Sequence, residues 1–82
     1  METLKTSTFV DRVWYTRVKG SKEKIIGILL DHLIRDASIH EIDLDIPSFR
    51  IEERYVEKRG CEDRLEITGI IDMLNIVNPE TP

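Results

Sequence analysis

The branched apolar residues of this chain place the strongest constraint on its fold. Its 82 residues include twelve isoleucines and five valines, but a single alanine, Ala37. Isoleucine and valine are stiff about χ1 and fit the pleated surface of a sheet, whereas a helix bundle of this size normally uses several alanines at its contacts. The apolar inventory therefore predicts a strand-rich domain rather than a helix bundle.

The length indicates one domain that spans residues 1–82. Domains of this size rarely draw more than about 3–5 kcal/mol of stability from one core. The one cysteine, Cys61, has no partner for an internal disulfide, and the sequence contains no recognisable set of zinc ligands. Self-association is the remaining common means of stabilisation, so we expect a homodimer.

Residues 21–36 have the clearest periodicity in the chain. Six apolar side chains recur there at helical spacing: Ile25, Ile26, Leu29, Leu30, Leu33 and Ile34. The pair Gly20-Ser21 is expected to begin the helix, and Glu23 suits the positive end of its dipole. Gly27 lies inside the helix, where we expect it to mark close packing against a sheet, with a kink or a binding notch as the alternative.

Alternating apolar and polar side chains predict three further strands, over residues 39–46, 49–58 and 63–71. The segment 8–19 fits a strand better than a helix, because eight of its twelve residues are β-branched or aromatic, but both a strand and a helix remain open. Residues 59–62 are typical of a hairpin turn. Residues 72–78 could continue the last strand or form a short helix.

Together these elements predict a two-layer α+β domain, with one helix packed on a mainly antiparallel sheet of three or four strands. The order is β-α-β-β-β if residues 8–19 form a strand, and α-α-β-β-β if they form a helix. Residues 1–7 and 79–82 are expected to be loose termini.

Charge is unevenly distributed along the chain. Residues 1–24 have six basic and three acidic groups, net +3, while residues 25–82 have six basic and thirteen acidic groups, net −7. The basic segment interleaves cations with aromatic side chains, which is a pattern of single-stranded nucleic-acid binding. The candidate residues are Arg12, Trp14, Tyr15, Arg17, Lys19, Lys22 and Lys24. The alternative places Trp14 and Tyr15 in the core or at a subunit interface, and the acidic remainder of the chain favours that alternative.

No catalytic, cofactor-binding or metal-binding motif is recognisable in the sequence. His32, Asp36 and His40 are close together, but neither an H-x-x-x-H pair nor a cysteine accompanies them, so we expect no metal site. The many carboxylates alternate along strands beside arginines, which is typical of cross-strand ion pairs rather than of an acid–base pair. We therefore expect a protein that is not an enzyme and has no cofactor.

The sequence favours a small interaction or regulatory module that presents a sheet face or edge to a protein partner as a homodimer. Nucleic-acid binding by segment 12–24 is the alternative. The N-terminus has no apolar region typical of a signal peptide, and no apolar run is long enough to span a bilayer. We expect a cytoplasmic protein without a membrane partner.

Overall fold

The computed structural model describes residues 2–59 and 62–74, with the side chains of residues 57–59 and 62 left outside the description. The described elements are β1 (Thr3–Asp11), α1 (Arg12–Arg17), α2 (Ser21–Ile39), β2 (Leu44–Arg59) and β3 (Glu62–Met73). One long helix, α2, packs on a three-stranded antiparallel sheet, which confirms the predicted two-layer α+β class. The predictions for residues 60–61, 75–78 and 79–82 fall outside the described residues.

The sheet has the order β1-β3-β2, so β3 is its central strand. Both neighbours pair with β3 in the antiparallel sense, and β1 and β2 are therefore parallel to each other. One row of the sheet consists of Ser7, Thr68 and Glu52. Within the described residues, β1 and β2 each have one edge that pairs with no other strand.

The segment 8–19 is divided between a strand and a helix, so the prediction of a strand is wrong beyond Asp11. The Asp11 carboxylate accepts a hydrogen bond from the Trp14 backbone N–H at 2.9 Å and caps α1, which ends the strand. The same strand begins earlier than expected, at Thr3 rather than at residue 8. All nine residues of β1 pair with β3, and this pairing orders the segment that was expected to be loose.

The two strands predicted over 39–46 and 49–58 form one long strand, β2, with an irregularity between Asp45 and Arg50. Ser48 bridges the irregularity: its hydroxyl accepts from the Asp72 N–H at 2.8 Å and donates to the Asp45 carbonyl at 2.6 Å. Residues 39–43 are the end of α2 and the turn after it, where Glu41 has a φ of 56°. The helix runs past residue 36 because Ala37 continues its buried stripe.

The core lies between α2 and β3. On the helix, a narrow stripe of side chains four residues apart is buried: Ser21, Ile25, Leu29, Leu33 and Ala37. Leu65, Ile67 and Ile71 of β3 are also buried. The stripe is narrower than the sequence predicted, since Ile26 and Leu30 are half-buried and Ile34 is 43% exposed.

A glycine permits the close contact between the layers, but it is Gly69 of β3 rather than Gly27 of α2. A Cβ atom on Gly69 would lie 3.1 Å from the Leu29 Cβ and 3.1 Å from the Phe49 Cε1. A Cβ atom on Gly27 would meet nothing within 4 Å. The expectation that Gly27 packs against the sheet is therefore wrong, because this residue lies on the solvent side of the helix.

Tyr15 attaches α1 to the core. Its side chain is buried, and its hydroxyl donates a hydrogen bond to the Glu53 Oε2 at 3.0 Å. Burial, followed by the hydrogen bond and the charge of Glu53, raises the pKa of Tyr15 to about 12. The Ser21 hydroxyl donates to the Tyr15 carbonyl at 2.8 Å, and Gly20, with a φ of 84°, makes the turn between the helices.

The two glycines lead to opposite stability predictions. Gly27→Ala should raise the free energy of unfolding by about 0.5–1 kcal/mol, since alanine favours a helix and meets no neighbour. Gly69→Ala should lower it by about 1–3 kcal/mol, because the Leu29 Cβ is fixed to the helix backbone and α2 must shift. Urea denaturation of both variants measures these changes, and two changes of the same sign would contradict this account of the core.

The buried tyrosine should make stability depend on pH in alkaline solution. An unfolded tyrosine loses its proton near its ordinary pKa of about 10, whereas folded Tyr15 keeps it up to about 12. The free energy of unfolding should therefore fall as pH rises between these values. Denaturation curves measured at several pH values give the free energy of unfolding. Its decline with rising pH should be shallower for Tyr15→Phe than for the wild type or for Tyr55→Phe, which removes an exposed tyrosine. Parallel declines in all three proteins would refute this assignment.

Candidate interaction surface

The basic and aromatic segment 12–24 does not present its two aromatic side chains together. Tyr15 is only 1% exposed, and Trp14 is half-buried against the core cluster. Base stacking requires a free ring face. Tyr15 offers no such face, since its ring lies in the core and the Lys22 Nζ lies 5.6 Å from the ring centroid.

The cations of this segment have different environments. The Arg12 Nη2 lies 2.7 Å from the Asp63 Oδ2, and this hydrogen-bonded pair raises the pKa of Arg12. Arg17, Lys19 and Lys24 are exposed. Lys22 thus lies beside Tyr15, and Arg12 forms an ion pair with Asp63. The segment does not present the pair of exposed aromatic rings that its sequence pattern suggested.

The histidines lie near the end of α2. His32 is exposed, and the His40 Nε2 lies 3.8 Å from the Asp36 Oδ1. Over the described ranges 2–59 and 62–74, no three side chains of His, Cys, Asp or Glu are grouped so that they could hold a metal ion. No helix in this part of the chain is long and apolar enough to cross a membrane. Cys61 lies outside the description.

The free edge of β1 is regular along its whole length. Its nine residues pair with β3 without a bulge, from Thr3 opposite Asp72 to Asp11 opposite Arg64. The strand contains no proline, and Lys5 is its one charged residue before the terminal Asp11. An edge with this geometry presents unpaired backbone groups to a further strand.

Alternation divides the side chains of β1 between the two faces of the sheet. Leu4, Thr6, Thr8 and Val10 point to the side of α2. On the other side, the Ser7 hydroxyl lies 2.8 Å from the Thr68 hydroxyl, and Phe9 is 51% exposed. The sequence did not predict this surface because residues 1–7 were expected to be loose, although the β-branched residues at 3, 6, 8 and 10 are a signal for a strand.

One flank of α2 lies beside this edge. A groove of about 280 Å³ separates the two elements, and its lining includes Lys5, Thr6, His32, Arg35 and Ile39. Ile39 is 76% exposed, and Ile28, which helical spacing places on the same flank, is 48% exposed. We call the free edge of β1 together with this flank of α2 the β1 surface.

The free edge of β2, unlike that of β1, has features that oppose pairing with an identical strand. Its pairing with β3 is interrupted between Asp45 and Arg50, and Pro47 lies in the interruption. In the regular part, Glu53 places a charge on the side that faces the helices, where it accepts the hydrogen bond from Tyr15. Bulges, prolines and inward-facing charges all oppose association of sheet edges.

The sheet face remote from α2 is polar. A shallow depression of about 750 Å³ on this face is lined by Lys5, Ser7, Glu52, Arg54, Glu66 and Thr68. The Arg54 Nη2 lies 2.6 Å from the Glu66 Oε1, and the Arg50 Nη1 lies 3.2 Å from the Asp72 Oδ1. Cross-strand ion pairs of this kind are typical of a solvated sheet face.

Comparison with known proteins gives no relative from which a role could be transferred. No protein-family model matches the chain, and neither a curated protein nor a solved structure shows significant similarity to it. A function for the protein has to be argued from the β1 surface and the other features of the fold.

Proposed function

We propose that this protein is a non-enzymatic, cytoplasmic interaction module that works as a homodimer, and that β1 pairs with β1 of a second copy. The observation that carries the proposal is the self-complementary sequence of β1 around its central residue, Ser7. The cytoplasm is proposed because a single cysteine suits a reducing compartment.

The complementarity appears when two β1 strands are placed antiparallel with Ser7 on the two-fold axis. Thr6 then lies opposite the partner's Thr8, and Lys5 lies opposite the partner's Phe9. Threonine pairs are favourable across antiparallel strands, and a cation beside an aromatic ring is attracted to it. Leu4 likewise lies opposite the partner's Val10. No like charges face each other in this register.

The position of α2 supports the same arrangement. The helix packs on one face of the sheet and contacts β1 as well as β3. A two-fold axis through Ser7 and normal to the sheet keeps the helix-bearing faces of the two copies on one side. The two α2 helices would therefore lie next to each other on the same side of a continuous six-stranded sheet.

This arrangement would also bring together the apolar residues of the β1 surface. The flanks with Ile28 and Ile39 would face each other across the axis, above the two paired β1 strands. Asp31 and Arg35, whose carboxylate and guanidinium are 3.0 Å apart within one helix, lie on the same flank. His32 and Arg35 lie between Ile28 and Ile39 along it and line the groove. The interface would thus combine apolar with charged side chains, and the Asp31–Arg35 pair within each helix would offset the charge of the arginine.

The dimer can be tested by changing the charges on β1. Phe9→Lys would place two lysines opposite each other at two symmetric positions and should weaken association about tenfold. The fold should persist, because Phe9 lies opposite Glu66 within the protomer and a lysine there gains a cross-strand partner. Adding Lys5→Glu should restore the dimer. Sedimentation equilibrium measures each dissociation constant.

Val18→Lys is the matched control, since Val18 is an exposed apolar residue that lies outside β1. It should leave association unchanged. A wild-type protein that keeps the 9.6 kDa mass of one chain at every concentration would contradict the proposal. Equal weakening by Phe9→Lys and Val18→Lys, or a failure of Lys5→Glu to restore association, would contradict the β1 interface.

A further inference from the structure

The flank of α2 away from β1 is apolar. Ile26 and Leu30 are half-buried there, and Ile34 is 43% exposed. Helical spacing places these three residues in one row, on the side opposite to His32 and Arg35, which line the groove beside β1. The row therefore lies on the flank nearest to β2.

Strand β2 continues this apolar surface towards its free edge. Phe49 and Ile51 are half-buried and pack against the core cluster. The Phe49 ring reaches the space above Gly69 that Leu29 and Leu33 also border. The side chains of α2 and β2 thus form an apolar strip beside the edge of β2, which pairs with no other strand in the described part of the chain.

The charges around this strip are acidic. The arginines of β2 are directed to the carboxylates of β3, since Arg50 pairs with Asp72 and Arg54 pairs with Glu66. No ion pair joins the carboxylates of Asp43, Glu52 or Glu53 to any side chain that the structure describes. Among the described side chains, the edge of β2 therefore combines apolar groups with carboxylates that have no cationic partner.

Glu53 has a special position on this edge. It is the middle residue of Arg50–Val56, the part of β2 that pairs with β3 in continuous register. Its side chain lies on the face towards the helices, where Tyr15 bonds to it. A second copy of β2 centred there would oppose Glu53 to the partner's Glu53, which is unfavourable. A strand with a lysine or arginine at that point would instead form an ion pair.

We infer that the edge of β2 binds an extended, basic segment of another protein as a fourth strand. The cation would lie opposite Glu53, and apolar side chains two residues away on either side would lie opposite Ile51 and Tyr55. Main-chain hydrogen bonds would give affinity, and the alternate side chains would give specificity. This site is separate from the proposed dimer interface, because β1 and β2 are the opposite edges of the sheet.

The inference can be tested with a synthetic peptide that alternates threonine with valine and has lysine at the central valine position. Titration followed by ¹H–¹⁵N NMR should shift amides of Arg50–Val56 more than those of β1. A peptide with glutamate in place of lysine should bind at least about fivefold more weakly. A peptide with the lysine sequence but methylated backbone nitrogens should also lose binding, because it cannot form the ladder.

Two variants of the protein separate a specific ion pair from general charge attraction. Glu53→Gln keeps an acceptor for the Tyr15 hydroxyl and should weaken binding of the lysine peptide about fivefold. Glu52→Gln removes the same charge from the opposite face of β2 and should change binding less than twofold. Equal effects of the two variants, undiminished binding of the methylated peptide, shifts centred on β1, or no binding of the lysine peptide would each overturn the inference.

Discussion

The close contact between α2 and β3 at Gly69 determines most of this structure. Because Gly69 has no side chain, Leu29 and Leu33 of the helix lie directly above the central strand. The helix contacts all three strands, but its buried stripe is only one residue wide per turn and is centred on β3. Both edges of the sheet remain beside a flank of α2 rather than beneath it.

The two flanks have different chemistry, and each matches the strand edge next to it. Beside β1, the groove is lined by charged and polar residues together with Leu33 and Ile39, and the strand itself is regular and almost free of charge. Beside β2, the helix is apolar, but the strand has an irregularity and an inward-facing Glu53. A regular, nearly neutral edge suits pairing with an identical strand. An edge with one inward-facing carboxylate instead suits a partner strand with a positive charge at that position.

The sequence predicted the fold class and the main helix because both depend on local periodicity. It failed where long-range pairing decides the outcome. Thr3–Ser7 has little apolar alternation, yet pairing with β3 makes it a strand, and the Asp11 carboxylate accepts a hydrogen bond from the Trp14 N–H that caps the helix after it. Gly69 rather than Gly27 is the contact glycine because the packed face of a helix depends on the sheet below it. The sequence favoured a sheet face or edge as the interaction surface but could not identify which strand forms it, since the edges follow from the order β1-β3-β2.

The central claim, that two β1 strands pair around Ser7, is tested most directly by a disulfide across the proposed axis. Facing residues of antiparallel strands have Cα atoms about 4.5–5.5 Å apart, which lies within the range that a disulfide spans. In a Cys61→Ser background, Ser7→Cys should form covalent dimers under mild oxidation, whereas Glu52→Cys on β2 should remain monomeric in denaturing electrophoresis. Equal cross-linking of the two variants, or none for Ser7→Cys, would contradict the account.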